Sequence, residues 1–263
     1  MEVKTMKAYA KVNLALHISK KREDGYHEIY TLMHMLPDLW DDVIIEPWDN
    51  IEVSFDIPME KDNTVWKAAK LYYEHTGFKG RIHVKKRIPM QAGLGGGSSD
   101  AVAALLGLNS IFGALSSENL SLISAEIGSD VPFFFSGGAA VCRGRGEIVE
   151  PLPWQPLNIR WDKPKCGIST KELFKRLQLP APYVDVESAV RAYVNPDRKA
   201  LGEFMKNSLE DAAFKLCKES LAIKERFLSE GALGAVLTGS GSAVIALFEG
   251  QPLLGQKDGF MLQ

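Results

Sequence analysis

Four glycines fall within Gly93 to Gly97, and Ser98, Ser99 and Asp100 follow where an alanine- and leucine-rich helix should begin. Backbone N–H groups at the positive end of a helix dipole form an anion site, and the missing β-carbons let a polyphosphate reach the main chain. The hydroxyls of Ser98 and Ser99 could add donors or hold a metal-bound water. The competing reading is a tight turn of small residues chosen for packing, but glycines this dense at a helix start favour phosphate. Two familiar phosphate loops do not fit. A Walker A loop needs a lysine after its glycines, and a dinucleotide loop begun at Gly93 meets Ser98 where its last glycine belongs. A hydrolase nucleophile elbow also fails, at Ser98 and at Ser240.

Lys11 and Asp130 are the next candidates. Lys11 shares one side of an alternating segment with Asn13. It is either an edge or surface lysine or a cleft lysine. Asp130 stands between Ser129 and Val131-Pro132, where it either caps a short helix or does chemistry. Phosphoryl transfer needs a cation near the moving group and a carboxylate to orient or deprotonate the attacking hydroxyl, and this pair supplies both. Tyr26-His27 follows the turn Asp24-Gly25 and suits a rim that stacks on a planar ligand, although an aromatic after a turn is often core. His27, Glu28 and His34 lack HExxH spacing, so a metalloprotease is not indicated. Phe133-Phe134-Phe135 reads most simply as core.

The elements that must hold these residues are mixed α and β. Ala8 to Ile18 alternates as a half-buried strand, Tyr26 to Met35 reads as a second, and Val43 to Glu46, Ile51 to Phe55 and Arg81 to Lys86 as further strands. Asp62-Asn63-Thr64 caps a helix over Val65 to Thr76 that Gly77 ends. A helix over Ala101 to Phe112 follows the glycines, and another runs from Ser116-Ser117-Glu118 to Ile127. Gly137 to Gly146 reads as turns, and three prolines in Pro151 to Pro156 mark a domain boundary, giving domains 1–152 and 153–263. Helices are expected near Thr170 to Leu177, Val186 to Tyr193, Lys199 to Phe204 and Ser208 to Ser229. Ala235 to Thr238 and Ala243 to Phe248 form a strand pair around the turn Gly239-Ser240-Gly241-Ser242.

The chain has 263 residues, 46% hydrophobic and 24% charged, a composition that excludes disorder, collagen and coiled coil. Its net charge of −2 gives no global positive field for nucleic acid or an anionic membrane, while leaving room for a small phosphorylated ligand. Cys142, Cys166 and Cys217 are odd in number and widely spaced, which indicates neither a disulfide framework nor a zinc site. The opening residues alternate and carry lysines where a signal peptide needs an unbroken apolar stretch, and no window makes a convincing membrane span. A cytoplasmic protein is expected.

Three separated segments together resemble the GHMP kinases. These are Ala10-Lys11-Val12-Asn13-Leu14, the loop from Pro89 to Asp100, and Leu237 to Ser242. The resemblance spans nearly the whole chain. It is sharpened by Asp24-Gly25-Tyr26-His27, by the triple glycine before Ser98, and by Gly128-Ser129-Asp130-Val131-Pro132-Phe133-Phe134. These motifs look like the family members that phosphorylate the 2-hydroxyl of cytidine-diphosphate methylerythritol in non-mevalonate isoprenoid biosynthesis.

The resemblance implies an α+β, mixed α/β protein of two domains. One is an N-terminal ribosomal-protein-S5-like domain, the other a C-terminal α+β domain, with the active site in the cleft between them. It implies an ATP-dependent kinase that takes ATP as phosphoryl donor with Mg²⁺, has a small-molecule substrate and is a monomer or weak homodimer. By this likeness Asp130 is the catalytic base and Lys11 its partner. Pro89, Met90, Gln91, Ala92, Gly93, Leu94, Gly95, Gly96, Gly97, Ser98 and Ser99 bind ATP. Asn13, Tyr26, His27, Phe174, Gly239 and Ser240 contact substrate, Tyr26 and His27 at the cytosine and Phe174 as a second stacking aromatic. Gln91 departs from the small residue usual in the loop, and Glu249 to Gln263 looks too short for the helix and strand that usually close the second domain. Alternatives are a GHMP kinase for homoserine or mevalonate, which would have no nucleobase to stack on Tyr26-His27, and a non-catalytic ATP-binding module, which would have no need of both Lys11 and Asp130.

Overall fold

The computed structural model describes residues 2–250. The expected shortening after Glu249 therefore falls, from residue 251 on, outside the described residues. The chain divides into two compact units: one holds residues up to Ala10, Leu36–Ile88 and Gly95–Phe135, the other Lys11–Met35, Pro89–Leu94 and the residues from Ser136 onward. Strands β1 (Lys4–Lys21) and β2 (His27–Pro47) contribute to both.

In the first unit, residues 42–47 of β2 pair antiparallel with β4 (Gly80–Lys85), and β3 (Glu52–Phe55) pairs parallel with β4. Helix α1 (Thr64–Thr76) starts where the Asn63 side chain accepts from the Trp66 amide and stops at Gly77 in the left-handed conformation. Both boundaries match the sequence signals. Helix α2 (Gly96–Phe112) begins inside the glycine run, five residues before the expected Ala101. It packs on α1 and is buried along most of its length, Gly107 and Gly80 admitting Ile45 and Leu108 where a β-carbon would collide. Helix α3 (Ser117–Ile127) is capped by the Ser116 side chain and leads to a 3₁₀ turn, Pro132–Phe135, whose Phe133 and Phe134 are core, as expected.

In the second unit, residues 29–34 of β2 pair antiparallel with β5 (Ala139–Gly144), which pairs with β6 (Ile148–Pro151). A strand here corrects the expectation of turns over Gly137 to Gly146. Ala139 to Cys142 are buried against β2, and their glycines serve only the ends. β2 also runs on past Met35, the expected strand end, and through Pro37 into the strand expected separately over Val43 to Glu46. Pro37 lies between the registers to β4 and β5, so neither partner needs its missing amide. A second sheet orders β7 (Ile159–Asp162), β9 (Val244–Leu247) and β8 (Gly234–Leu237), all antiparallel.

Around it lie α4 (Thr170–Arg176), α5 (Val186–Val194), α6 (Arg198–Phe204), α7 (Glu210–Leu216) and α8 (Lys218–Ser229). The single helix expected over Ser208 to Ser229 breaks at Cys217, whose extended backbone (φ −143°, ψ 91°) separates α7 from α8. Cys166 and Cys217 are joined by a disulfide across 51 residues, which corrects the reading that none was indicated. Such spacing carries no local signature. Among the described residues no helix is long and apolar enough to cross a membrane.

Candidate active site

Lys11 and Asn13 lie on β1, where the alternation predicted one solvated face. Instead every residue from Ala10 to Leu16 is buried, and the polar side chains are satisfied internally. Lys11 Nζ donates to Asn13 Oδ1 at 2.8 Å and to the Gly93 carbonyl at 3.1 Å. Asn13 Nδ2 donates to Thr31 Oγ1 at 2.9 Å, and the Asn13 amide donates to Thr238 Oγ1 at 3.0 Å. A buried ammonium is tolerable only with such acceptors, since its desolvation costs several kcal/mol. Lys11 is thus not a surface lysine.

Residues Pro89 to Leu94 of the glycine loop belong to the same unit. The carbonyls of Gln91 and Ala92 accept from the amides of Ser242 and Ala243, and the Leu94 carbonyl accepts from the Lys11 amide at 2.9 Å. Gly93 has φ +75°, and a β-carbon there would overlap the Thr238 backbone, so only glycine fits. The turn at Gly239 is held by Asn207, whose Nδ2 donates to the carbonyls of Leu237 and Gly239, each at 2.8 Å. Gly239 lies beside this cluster, its β-carbon position 3.2 Å from Asn13 Oδ1 and 3.4 Å from Lys11 Nζ. Ser240 Oγ is 2.8 Å from Thr170 Oγ1.

Tyr26 is 52% exposed, so it is not the core aromatic that its position after a turn allowed. The Arg145 guanidinium sits 4.9 Å from the Tyr26 ring centroid. His27 and Phe174 form a tilted ring pair with centroids 4.8 Å apart, Phe174 carried by α4. Burial, reinforced by the nearby Lys21 charge, lowers the His27 pKa. Neutral imidazole keeps both a donor and an acceptor nitrogen.

Gly95 to Ser99 belong to the other unit. Gly95, left-handed at φ +73°, is the N-cap of α2 and offers no capping side chain, and the first turn holds no acidic residue. The Ser98 and Ser99 amides turn back to the Gly95 carbonyl. An uncapped, uncharged helix start fits a phosphate group. The loop is braced by a triad that sequence reasoning missed. Lys86 Nζ donates to Asp41 Oδ2 at 2.5 Å and to Asp100 Oδ2 at 2.7 Å, while Asp41 Oδ1 accepts from the amides of Arg87 and Ile88. Burial lowers the Lys86 pKa, but Asp100 and Asp41 more than offset it and leave it raised. Burial pushes Asp100 up to about 7, the Lys86 charge opposing this and the Asp41 charge adding to it. Thr64 Oγ1 donates to the Gly97 carbonyl at 2.6 Å, and a cavity of about 630 Å³ in this unit is lined by Lys61, Asp62, Trp66 and Lys67. Asp130 is half-buried in the turn between α3 and Pro132. The one group of three Cys, His, Asp or Glu side chains whose ligand atoms gather among the described residues is Cys166, Cys217 and Glu219, and with its sulfurs joined in the disulfide it does not suit Mg²⁺.

An α+β chain with a glycine-opened helix, a buried strand lysine and a glycine turn braced by asparagine has the parts of a small-molecule phosphotransferase. Residues 63–138 match the model of the GHMP kinases N terminal domain, and residues 187–254 that of the GHMP kinases C terminal domain. The chain belongs to the GHMP kinase family and has its two-domain fold of mixed helices and strands.

It is 42% identical over 254 residues to a 4-diphosphocytidyl-2-C-methyl-D-erythritol kinase of Caldicellulosiruptor bescii, covering 92% of this chain and 88% of that one. It is 38% identical over 255 residues to the protein of that name from Clostridium perfringens, covering 93% and 88%. A crystal structure of a 4-(cytidine 5'-diphospho)-2C-methyl-D-erythritol kinase matches with TM-score 0.80 at 36% identity, over 94% of this chain and 91% of that one.

Proposed function

We propose that the protein transfers the γ-phosphoryl group of ATP to the 2-hydroxyl of 4-diphosphocytidyl-2-C-methyl-D-erythritol, giving ADP and the 2-phosphate, in the cytoplasm. The relatives of that name support the reaction. The single observation that carries the nucleobase part is the aromatic cluster, exposed Tyr26 with His27 against Phe174. Homoserine or mevalonate would leave these rings without a flat partner. The rings would take the cytosine by stacking and His27 by hydrogen bonds to its edge.

The glycine loop from Pro89 to Ser99 takes the phosphates of ATP, its amides replacing lost hydration. Asp130 accepts the proton of the attacking hydroxyl, and Lys11 offsets charge on the γ-phosphoryl group. Asn13, Gly239 and Ser240 contact the sugar alcohol. Mg²⁺ bound with the nucleotide would neutralise phosphate charge, and the hydroxyls of Ser98 and Ser99 are oxygen donors of the hard type that would hold it or a water on it. To test this, ADP release is followed with Mg-ATP and a panel of alcohols. Turnover of the cytidine substrate well above homoserine and mevalonate is expected; equal or no turnover overturns the assignment.

A further inference from the structure

Cys166 and Cys217 stand outside the chemistry above, yet their neighbours lead to it. Their Cα atoms lie 6.2 Å apart, within the span a disulfide bridges. Cys166 is partly exposed in the segment before α4, while Cys217 is buried at the break between α7 and α8. The Cys166 carbonyl accepts from Ser242 Oγ at 2.6 Å, and Ser220 Oγ, 3.4 Å from Cys217 Sγ, donates to the Ser242 carbonyl at 2.8 Å. Ser242 is thus gripped from both cysteines' sides. Its amide donates to the Gln91 carbonyl, and Gly167 lies against the Gln91 side chain. Downstream of Cys166, Ile168 packs beneath Gly241, Thr170 meets Ser240, and Phe174 reaches His27. Glu219 Oε2 lies 3.5 Å from Cys166 Sγ and 3.7 Å from Cys217 Sγ.

We infer that the Cys166–Cys217 disulfide is a reducible clasp that fixes the α4 segment, and with it Phe174, and through Ser242 steadies Gln91 and Ala92 of the glycine loop. The reductant is a small-molecule dithiol. One of its thiolates attacks the accessible Cys166 sulfur, and the Cys217 sulfur leaves and takes up a proton. The second thiol then attacks the mixed disulfide and releases Cys166 as a thiol. The reductant ends as a cyclic disulfide, its two electrons and two hydrogens now on the cysteines. Reduction frees the 51-residue loop closed by the bond and loosens the segment that carries Phe174. The Glu219 carboxylate repels an attacking thiolate, so Glu219→Gln speeds reduction.

The clasp is tested on the full chain in oxidised and dithiol-treated form. Alkylation after denaturation, read by mass, should label one cysteine in the oxidised protein and three in the reduced one. On reduction, amide exchange over Thr170–Arg176 should rise by about tenfold, as expected for a segment released to local opening. The KM for the cytidine substrate should rise about threefold or more with kcat little changed. The double variant Cys166→Ser, Cys217→Ser should behave as the reduced protein under both conditions. Three labelled cysteines even after treatment with oxidised glutathione overturn the clasp. So does protection of the pair by Zn²⁺ in place of oxidation, which would make it a metal site, and so does unchanged exchange over α4. The kinetic arm rests on the proposed substrate, whereas labelling and exchange do not, so failure of that substrate leaves the clasp to be decided by them.

Discussion

Lys11 Nζ donates to the side-chain oxygen of Asn13, 2.8 Å away and two residues along the same buried strand. The bond fixes the orientation of the Asn13 amide, because its nitrogen must then face Thr31. Lys11→Met keeps the apolar stem and removes the charge. Turnover should fall by at least about 10²-fold, the scale of losing an electrostatic stabiliser of the transition state. Stability should fall by about 1–3 kcal/mol, because Asn13 Oδ1 is left buried without its donor. Steady-state rates and urea unfolding measure the two effects, and a variant with near-normal kcat would show that Lys11 serves the fold alone.

Asp130→Asn keeps the shape of the side chain and removes its basicity. The kcat should drop by at least about 10²-fold while ATP still binds and the protein stays folded. Turnover close to that of the unaltered protein would leave Asp130 only its place in the turn before Pro132.

Phe174→Ala removes the ring that pairs with His27. Stacking on a base is worth about 1–3 kcal/mol, so KM for the cytidine substrate should rise about tenfold or more while KM for ATP holds. Tyr26→Ala should act in the same direction. Equal losses for both substrates would point to damaged packing.

Much of the fold is legible where an element carries its own punctuation. Asn63 and Gly77 bound α1, and Ser116 opens α3, because caps and left-handed stops are local chemistry. The glycine loop and Lys11 stand out for the same reason, a run of rare types and a charge amid apolar neighbours. The Asp41–Lys86–Asp100 triad is not legible, since its partners lie 45 and 14 residues apart and meet only after the sheet forms. Thr31, Asn207 and Thr238 are hidden in the same way: each is an ordinary polar residue until burial gives it a partner. The burial of both faces of β1 also escapes periodicity, which reports one covered face and is silent on a second.

Gly93→Ala tests how closely the glycine loop and the Thr238 turn approach. A left-handed residue with a β-carbon costs about 1–2 kcal/mol on its own. Overlap with the Thr238 backbone adds to it. Denaturant unfolding should show a loss above about 1 kcal/mol and a raised KM for ATP, whereas Gly25→Ala, left-handed but open to solvent, should show the conformational cost alone.

His34 gives the protein an acid limit. It is buried beside the Tyr193 hydroxyl, 3.2 Å from Nδ1, and stacked on Trp154, and burial lowers its pKa to about 3. The unfolded chain, with a histidine near pH 6.5, takes up a proton that the folded chain refuses. Its contribution to stability is therefore complete above about pH 6.5 and is lost as pH falls toward 3, about 5 kcal/mol at most. The His34 ring resonances should keep their neutral shifts down to about pH 4, and unfolding free energy should decline between pH 6.5 and 4. His34→Gln, which cannot titrate, should flatten that decline. A His34 ring that titrates near pH 6 in the folded protein would remove the argument.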